Sequence, residues 1–251
     1  MLRELQPQLQ VAAIEPDDTA FSCLQENIRG VSGITAHQTG FLELELPESE
    51  TSLITSVGAS HHFNTAFMLQ KAMLVLKPGG ILSVADEFIP EFHTPEERNL
   101  ALVRHHAAYI LTAMAWIGEC EVLETDGEDW EWYRTFQQAL ALALVEAESG
   151  QGPAAIGRCR ELYANMKKAT LAKSPGLAIG AYTRFFWLEL QAMVAGFDYE
   201  IERKTFPRRF ADLARLAGFE LLRHRRVFAT TGADEWGGGT HVFTFRKPVV
   251  G

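Results

Sequence analysis

The chain has 251 residues, 47% hydrophobic and 22% charged, with a formal net charge of -9. That composition excludes a disordered chain or a fibre and suits one large domain or two small ones, and the acidic balance argues against sequence-independent nucleic-acid binding. Its three cysteines, Cys23, Cys120 and Cys159, form no CxxC pair, so no disulfide framework or cysteine zinc site is expected and a reducing, cytoplasmic setting is the natural reading.

The opening MLRELQPQLQ lacks the apolar core and cleavage site of a signal peptide. Leu9 to Ile14 then reads as a buried strand running into a helix capped by Glu15, Pro16, Asp17 and Asp18. That helix carries Phe21, Leu24 and Ile28 on one face and stops at Gly30. A second strand is expected at Ile34 to His37 and a third at Ser52 to Val57. Asn64 caps a helix with Leu69, Ala72, Met73 and Leu76 on one side, Lys77-Pro78-Gly79-Gly80 ends it, and Ile81 to Ala85 follows as a strand closed by Asp86 and Glu87. Strands alternating with helices of this length imply a parallel sheet covered on both faces.

From Pro95 to about Phe197 the period is helical throughout. Val103, Ala107, Ile110 and Met114 form one stripe and Trp132, Phe136, Leu140 and Leu144 another, with breaks at Gly118, Gly150 to Pro153 and Ser174 to Gly176 giving about four helices. The apolar stretch Gly176 to Phe197 is interrupted by Arg184, Glu189 and Gln191, so it is not expected to span a membrane. The insertion is rich in aromatics, including Tyr109, Trp116, Trp130, Tyr163, Tyr182 and Trp187. Core packing, a lid over a small apolar substrate and a homodimer face are the three readings of that enrichment.

Beyond it, Glu202 to Arg226 holds eight basic residues, among them Arg203, Lys204, Arg208 and Arg226, against three acids, and is expected to be a solvated helix face rather than an anion-binding patch. A helix from Pro207 to Ala217 leads to a hairpin of Glu220 to Phe228 and Thr240 to Arg246 around a glycine-rich loop. The division expected is an α/β part over 1–94, an all-helical insertion over 95–202 and a return to the α/β part over 203–251.

Ligands of an open parallel sheet bind outside the carboxyl ends of its strands. Three polar segments fall there: Glu15, Gln38 to Phe41, and Ser56 to His62. A carboxylate ending a strand can take two hydrogen bonds from a vicinal diol, and it can equally favour the start of the next helix.

AAIEPDDTAFSCLQENI, SLITSVGASHHF, LQKAMLVLKPGGILSVADEF and FADLARLAGFELLRHRRVF, in that order and spacing, resemble the class I S-adenosylmethionine-dependent methyltransferases of the small-molecule branch. The resemblance covers residues 1 to about 90 and 203 to 247. It implies a Rossmann-like methyltransferase sheet with a C-terminal antiparallel hairpin, S-adenosyl-L-methionine as cofactor, and methyl transfer to a small apolar or aromatic acceptor. By the same resemblance Glu15 holds the ribose, Gly40 and Phe41 the adenine, and Ser56 and Val57 the methionine part. Phe41 would stack on the base or fill the core.

One departure stands against these matches. The family's first strand and its GxGxG loop have no counterpart in the sequence, although that strand would lie between the family's second and fourth. Its loss is expected to leave unpaired backbone at the sheet centre or to force its neighbours together. A truncated gene model, a natural loss, or a non-catalytic binding or dimerisation module would each account for it.

If the acceptor is a hydroxyl, His61, His62, Asp86 and Glu87 are candidate bases, since they stand at the ends of adjacent strands. No metal centre is expected, because adjacent residues on a helix point about 100° apart and neither His61-His62 nor His105-His106 chelates by itself. The acids Asp86, Glu87 and Glu91 with His93 could hold magnesium, but helix initiation near Pro95 explains Glu96 and Glu97.

Overall fold

The computed structural model describes residues 6, 8–119, 128–172, 178–197 and 202–249. The first expected strand and helix form as β1 (Val11–Ile14) and α1 (Asp18–Asn27). Asp17 starts the helix, its carboxylate accepting the N–H groups of Thr19 and Ala20 at 2.9 Å. β2 (Ile34–His37) pairs parallel with β1, Val11 opposite Ile34 and Ile14 opposite His37.

β3 (Thr51–Val57) leads through a 3-10 turn at Ser60–His62 into α2 (Thr65–Val75). Asn64 caps α2 as expected, accepting from Ala66 and Phe67. β4 (Leu76–Phe88) is longer than expected at both ends. Lys77 to Gly80 belongs to the strand itself: Gly79 takes a positive φ of 77° and its N–H donates to the Lys247 carbonyl, while Lys247 N–H donates to Gly80. The Lys247 ammonium also caps α2, donating to the carbonyls of Met73 and Leu76 at 2.7 Å. At its other end β4 continues through Asp86 and Glu87 to Phe88, because β6 (Gly239–Arg246) pairs with it antiparallel that far.

β5 (Glu220–Ala229) completes a sheet of order β3-β4-β6-β5, whereas β1-β2 forms a separate two-stranded sheet. Only β3–β4 is parallel in the larger sheet. β1 and β3 do not pair, and among the described residues no strand joins them.

Four helices follow β4: α3 (Pro95–Glu119), α4 (Glu128–Glu148), α5 (Gly152–Ala172) and α6 (Ala178–Phe197). A capping box starts α3. Thr94 Oγ1 accepts the Glu97 N–H at 3.1 Å, and the Glu97 carboxylate accepts the N–H groups of His93 and Thr94. The stripe Val103, Ala107, Ile110 and Met114 is wholly buried against Phe136, Leu140, Leu190 and Met193. Trp130, Trp132 and Tyr182 lie outside the residues whose side chains are described, as does Cys120.

The second core lies under the larger sheet, where Leu82, Val84, Phe243 and Phe245 meet Leu69 of α2 and Phe210 of α7 (Pro207–Leu216). No helix among the described residues is long and apolar enough to cross a membrane.

Candidate active site at the end of β3 and β4

Parallel register places the chemistry. Val57 stands opposite Ala85, so the residues just beyond them, the Ser60–His62 turn and Asp86, come side by side. The turn depends on Gly58, whose N–H donates to the Ala85 carbonyl at 2.8 Å and whose φ of 61° suits a residue without Cβ.

Asp86 is 2% exposed and fully engaged. Its Oδ2 accepts the Ser60 hydroxyl and, at 3.1 Å, the His61 N–H; its Oδ1 lies 2.7 Å from His61 Nδ1 and accepts the Glu87 N–H at 2.8 Å. Burial alone would raise the Asp86 pKa. The hydrogen bond and charge of His61, with help from Ser60 and the Glu87 N–H, outweigh it and hold the carboxyl below its ordinary value.

The other imidazole nitrogen, His61 Nε2, lies 3.2 Å from Glu202 Oε2. Lys204 Nζ donates to that same oxygen at 2.8 Å and stands 3.5 Å from Glu87 Oε2. Both groups are buried, and local backbone bonds hold them there. Arg98 donates to the carbonyls of Gly196 and Glu202, Arg203 N–H donates to the His61 carbonyl, and Ile89 N–H to that of Thr205. The basic segment is therefore not uniformly a solvated face. Lys204 is 3% exposed, and Arg226 folds the β5–β6 loop by donating to the carbonyls of Thr231, Gly232, Asp234 and Gly238, while Arg215 pairs at the surface with Asp212.

Of the expected bases, His61, Asp86 and Glu87 are thus brought into one network. His62 lies at its margin, half-exposed, with Nδ1 3.9 Å from Glu202. Glu202 and Lys204, some 140 residues from His61 in the chain, carry no local pattern that marks them, and Lys204 was hidden within the basic run.

The residues expected around a nucleoside are more dispersed. Glu15 ends β1, its N–H donating to the His37 carbonyl and its Oε1 accepting the Asp17 N–H at 2.9 Å. Phe41 packs edge-on to Phe63, ring centroids 6.3 Å apart, against the core of the larger sheet. Its segment is tied down by Lys71, which donates to the carbonyls of Leu42 and Leu44. At Gly40 a Cβ would stand 2.1 Å from Glu43 Oε2, so the chain's own carboxylate fills the space there. Ser56 is half-buried and Val57 is 76% exposed. A cleft of about 350 Å³ near Pro90, Arg104, Arg208 and Trp236 includes none of the expected site residues.

The fold is α/β, with a helical unit between β4 and α7 and a C-terminal antiparallel pair of strands. Residues 1–84 match the family model described as a methyltransferase domain. No curated protein matches. Among solved structures, the chain is similar to a S-adenosylmethionine-dependent methyltransferase from Methanosarcina mazei, at 11% identity over 99% of this chain and 87% of that one, TM-score 0.46. It is also similar to phosphoethanolamine N-methyltransferase 2 of Haemonchus contortus, solved with phosphomonomethylethanolamine and S-adenosylhomocysteine, at 13% identity over 96% of this chain and 44% of that one, TM-score 0.38. A chain from Listeria monocytogenes assigned to the S-adenosylmethionine-dependent methyltransferases matches at 17% identity over 32% of this chain and 37% of that one, TM-score 0.29.

Proposed function

We propose that the protein serves methyl transfer from S-adenosyl-L-methionine to a hydroxyl of a small, fairly apolar or aromatic acceptor. The observation that carries this reading is the Ser60–Asp86–His61–Glu202 network at the carboxyl ends of two adjacent parallel strands. S-adenosyl-L-methionine supplies an electrophilic methyl group when bound. Glu15 would hold its ribose, and Ser56 and Val57 would line its methionine part. Gly40 and Phe41 would lie on the adenine side, where the exposed Glu43 carboxylate and the Phe63 ring stand beside them.

The protein's own work is positioning and proton handling. Asp86 fixes the His61 ring through Nδ1, and a proton leaving the acceptor hydroxyl would rest on Nε2, where Glu202 Oε2 is 3.2 Å away to hold it. Much of the rate in such a displacement comes from holding the acceptor close to the methyl and excluding water. The α3–α6 unit, whose Arg98 fixes Glu202 over the site, is the element that would exclude it.

A second reading, a non-catalytic binding or dimerisation module, is favoured by the separation of β1–β2 from the larger sheet among the described residues. Calorimetry with S-adenosylhomocysteine on the full chain separates the two. Saturable heat that weakens at least tenfold in Glu15→Gln supports the transferase; no heat at millimolar ligand removes it and leaves the binding module.

A further inference from the structure

Behind the His61–Asp86 pair lies a second cluster that methyl transfer does not use. We propose that Glu87, His105 and His106 bind a divalent first-row transition-metal ion. Their ligand atoms all lie within 4.8 Å of one another. The inference rests on these side chains and not on the methyl-transfer reading.

Considered as a pair on a helix, His105 and His106 diverge and cannot chelate. The fold adds a third side chain from β4, and one ligand atom of each imidazole lies within 4.8 Å of its carboxylate. Each ring is held from behind: His105 Nδ1 lies 2.9 Å from Thr230 Oγ1, and His106 Nδ1 3.0 Å from Glu189 Oε2. In front, each Nε2 is buried and has no hydrogen-bond partner, in side chains that are 1% and 0% exposed. Two such atoms in one place are unusual, because buried polar atoms are nearly always paired. An imidazole whose Nδ1 is oriented by a carboxylate or hydroxyl and whose Nε2 is bare has the arrangement that metal-ligating histidines adopt.

Distances agree. His105 Nε2 is 3.5 Å from Glu87 Oε2, too far for a good hydrogen bond. Two ligand atoms at about 2.0–2.1 Å from a tetrahedral ion stand roughly 3.3 Å apart. Charge agrees as well. The groups around the cluster are the carboxylates of Asp86, Glu87 and Glu202, the Glu189 carboxyl, the imidazole of His61 and one ammonium, Lys204, which Glu202 already engages at 2.8 Å. A cation placed among them meets more negative than positive charge.

Burial holds both imidazoles toward the neutral form. Burial also opposes ionisation of Glu87, but His105 and Lys204 facing it outweigh that and keep it ionised. Two imidazoles and one carboxylate suit zinc or ferrous iron better than magnesium or calcium.

The test uses the full chain, stripped with a chelator, dialysed and titrated with Co²⁺, whose visible d–d bands report coordination by protein nitrogen. One equivalent should bind with bands stronger than those of the aqua ion. Glu87→Gln and His106→Gln should each weaken binding tenfold or more, Glu189→Gln about 10–100-fold through loss of ring orientation, and His62→Gln should leave it unchanged. Failure of the wild-type protein to give those bands overturns the proposal. So does binding that survives both Glu87→Gln and His106→Gln, or binding lost in His62→Gln, which would place the ion at His61, His62 and Glu202. Should the buried variants fail to fold, X-ray absorption of the cobalt wild-type and His62→Gln proteins decides: two imidazoles retained in both supports the site, fewer than two in either overturns it.

Discussion

The two sheets of this protein are built to different standards. In the larger one, Leu82, Val84, Phe243 and Phe245 are at most 1% exposed and pack against two helices; in β1–β2 no strand residue is fully buried, and Phe21 of α1 is the buried residue beside it. The residues proposed to handle protons sit on or beside the well-packed sheet, and the proposed ribose anchor, Glu15, on the sparse one. A precise catalytic geometry needs side chains locked by packing, whereas a ligand anchor can be ordered by the ligand it binds.

Truncation measures that contrast most directly. Leu82→Ala should cost about 2–5 kcal/mol in urea unfolding, as expected for a buried leucine, and Ile14→Ala, half-buried in β1, much less. Equal losses would show that the two sheets share one core after all.

Acid should strike the well-packed half. Burial, with a Gly237 carbonyl only partly offsetting it, pushes the His241 pKa down to about 4, and His105 and His106 are likewise held neutral by burial. The folded pKa lies below the unfolded value of about 6.5, so the unfolded chain binds more protons between them. Stability is then complete above pH 6.5 and is lost as pH falls toward 4, by roughly 2 kcal/mol for His241 between pH 7 and 4.5. Glu189, pushed up to about 8 mainly by burial, opposes this: its contribution is present at low pH and lost as pH rises from about 4.5 to 8. Unfolding midpoints at pH 7 and 4.5 for the wild-type and His241→Gln proteins check the sign, and an unchanged acid slope in the variant would contradict it.

The smallest effect belongs to the sparse half. Asp17→Ala removes the cap of α1 and should cost about 1 kcal/mol, read as faster amide exchange in α1 with little change in β4 or β6. Protection lost evenly across both sheets would mean they open together.

Much of this architecture is legible from local pattern. Asp17 and Asn64 announce their helices, the alternation of strands with α1 and α2 gives parallel pairing, and the Val103–Met114 stripe identifies a buried helix face. The meeting of His61 with Asp86 is also readable, since both end neighbouring parallel strands. The partnership with Glu202 and Lys204 is not, nor is the convergence of His105 and His106 on Glu87, because tertiary packing alone brings those segments together and leaves no periodicity behind. The extent of β4 escapes for a similar reason. Lys77-Pro78-Gly79-Gly80 reads as a stop until Lys247, far along the chain, supplies its backbone partners.

Among the described residues no strand pairs with the outer side of β3, and this has its own consequence for handling the molecule. Seven residues, Thr51 to Val57, run along it without a charge, a proline or a bulky guard, and Leu53 and Val57 are exposed on it. Unshielded rims of that kind invite other chains to zip on. Concentrated stocks should therefore self-associate slowly, and a single lysine at Thr55 should keep them clear in light scattering.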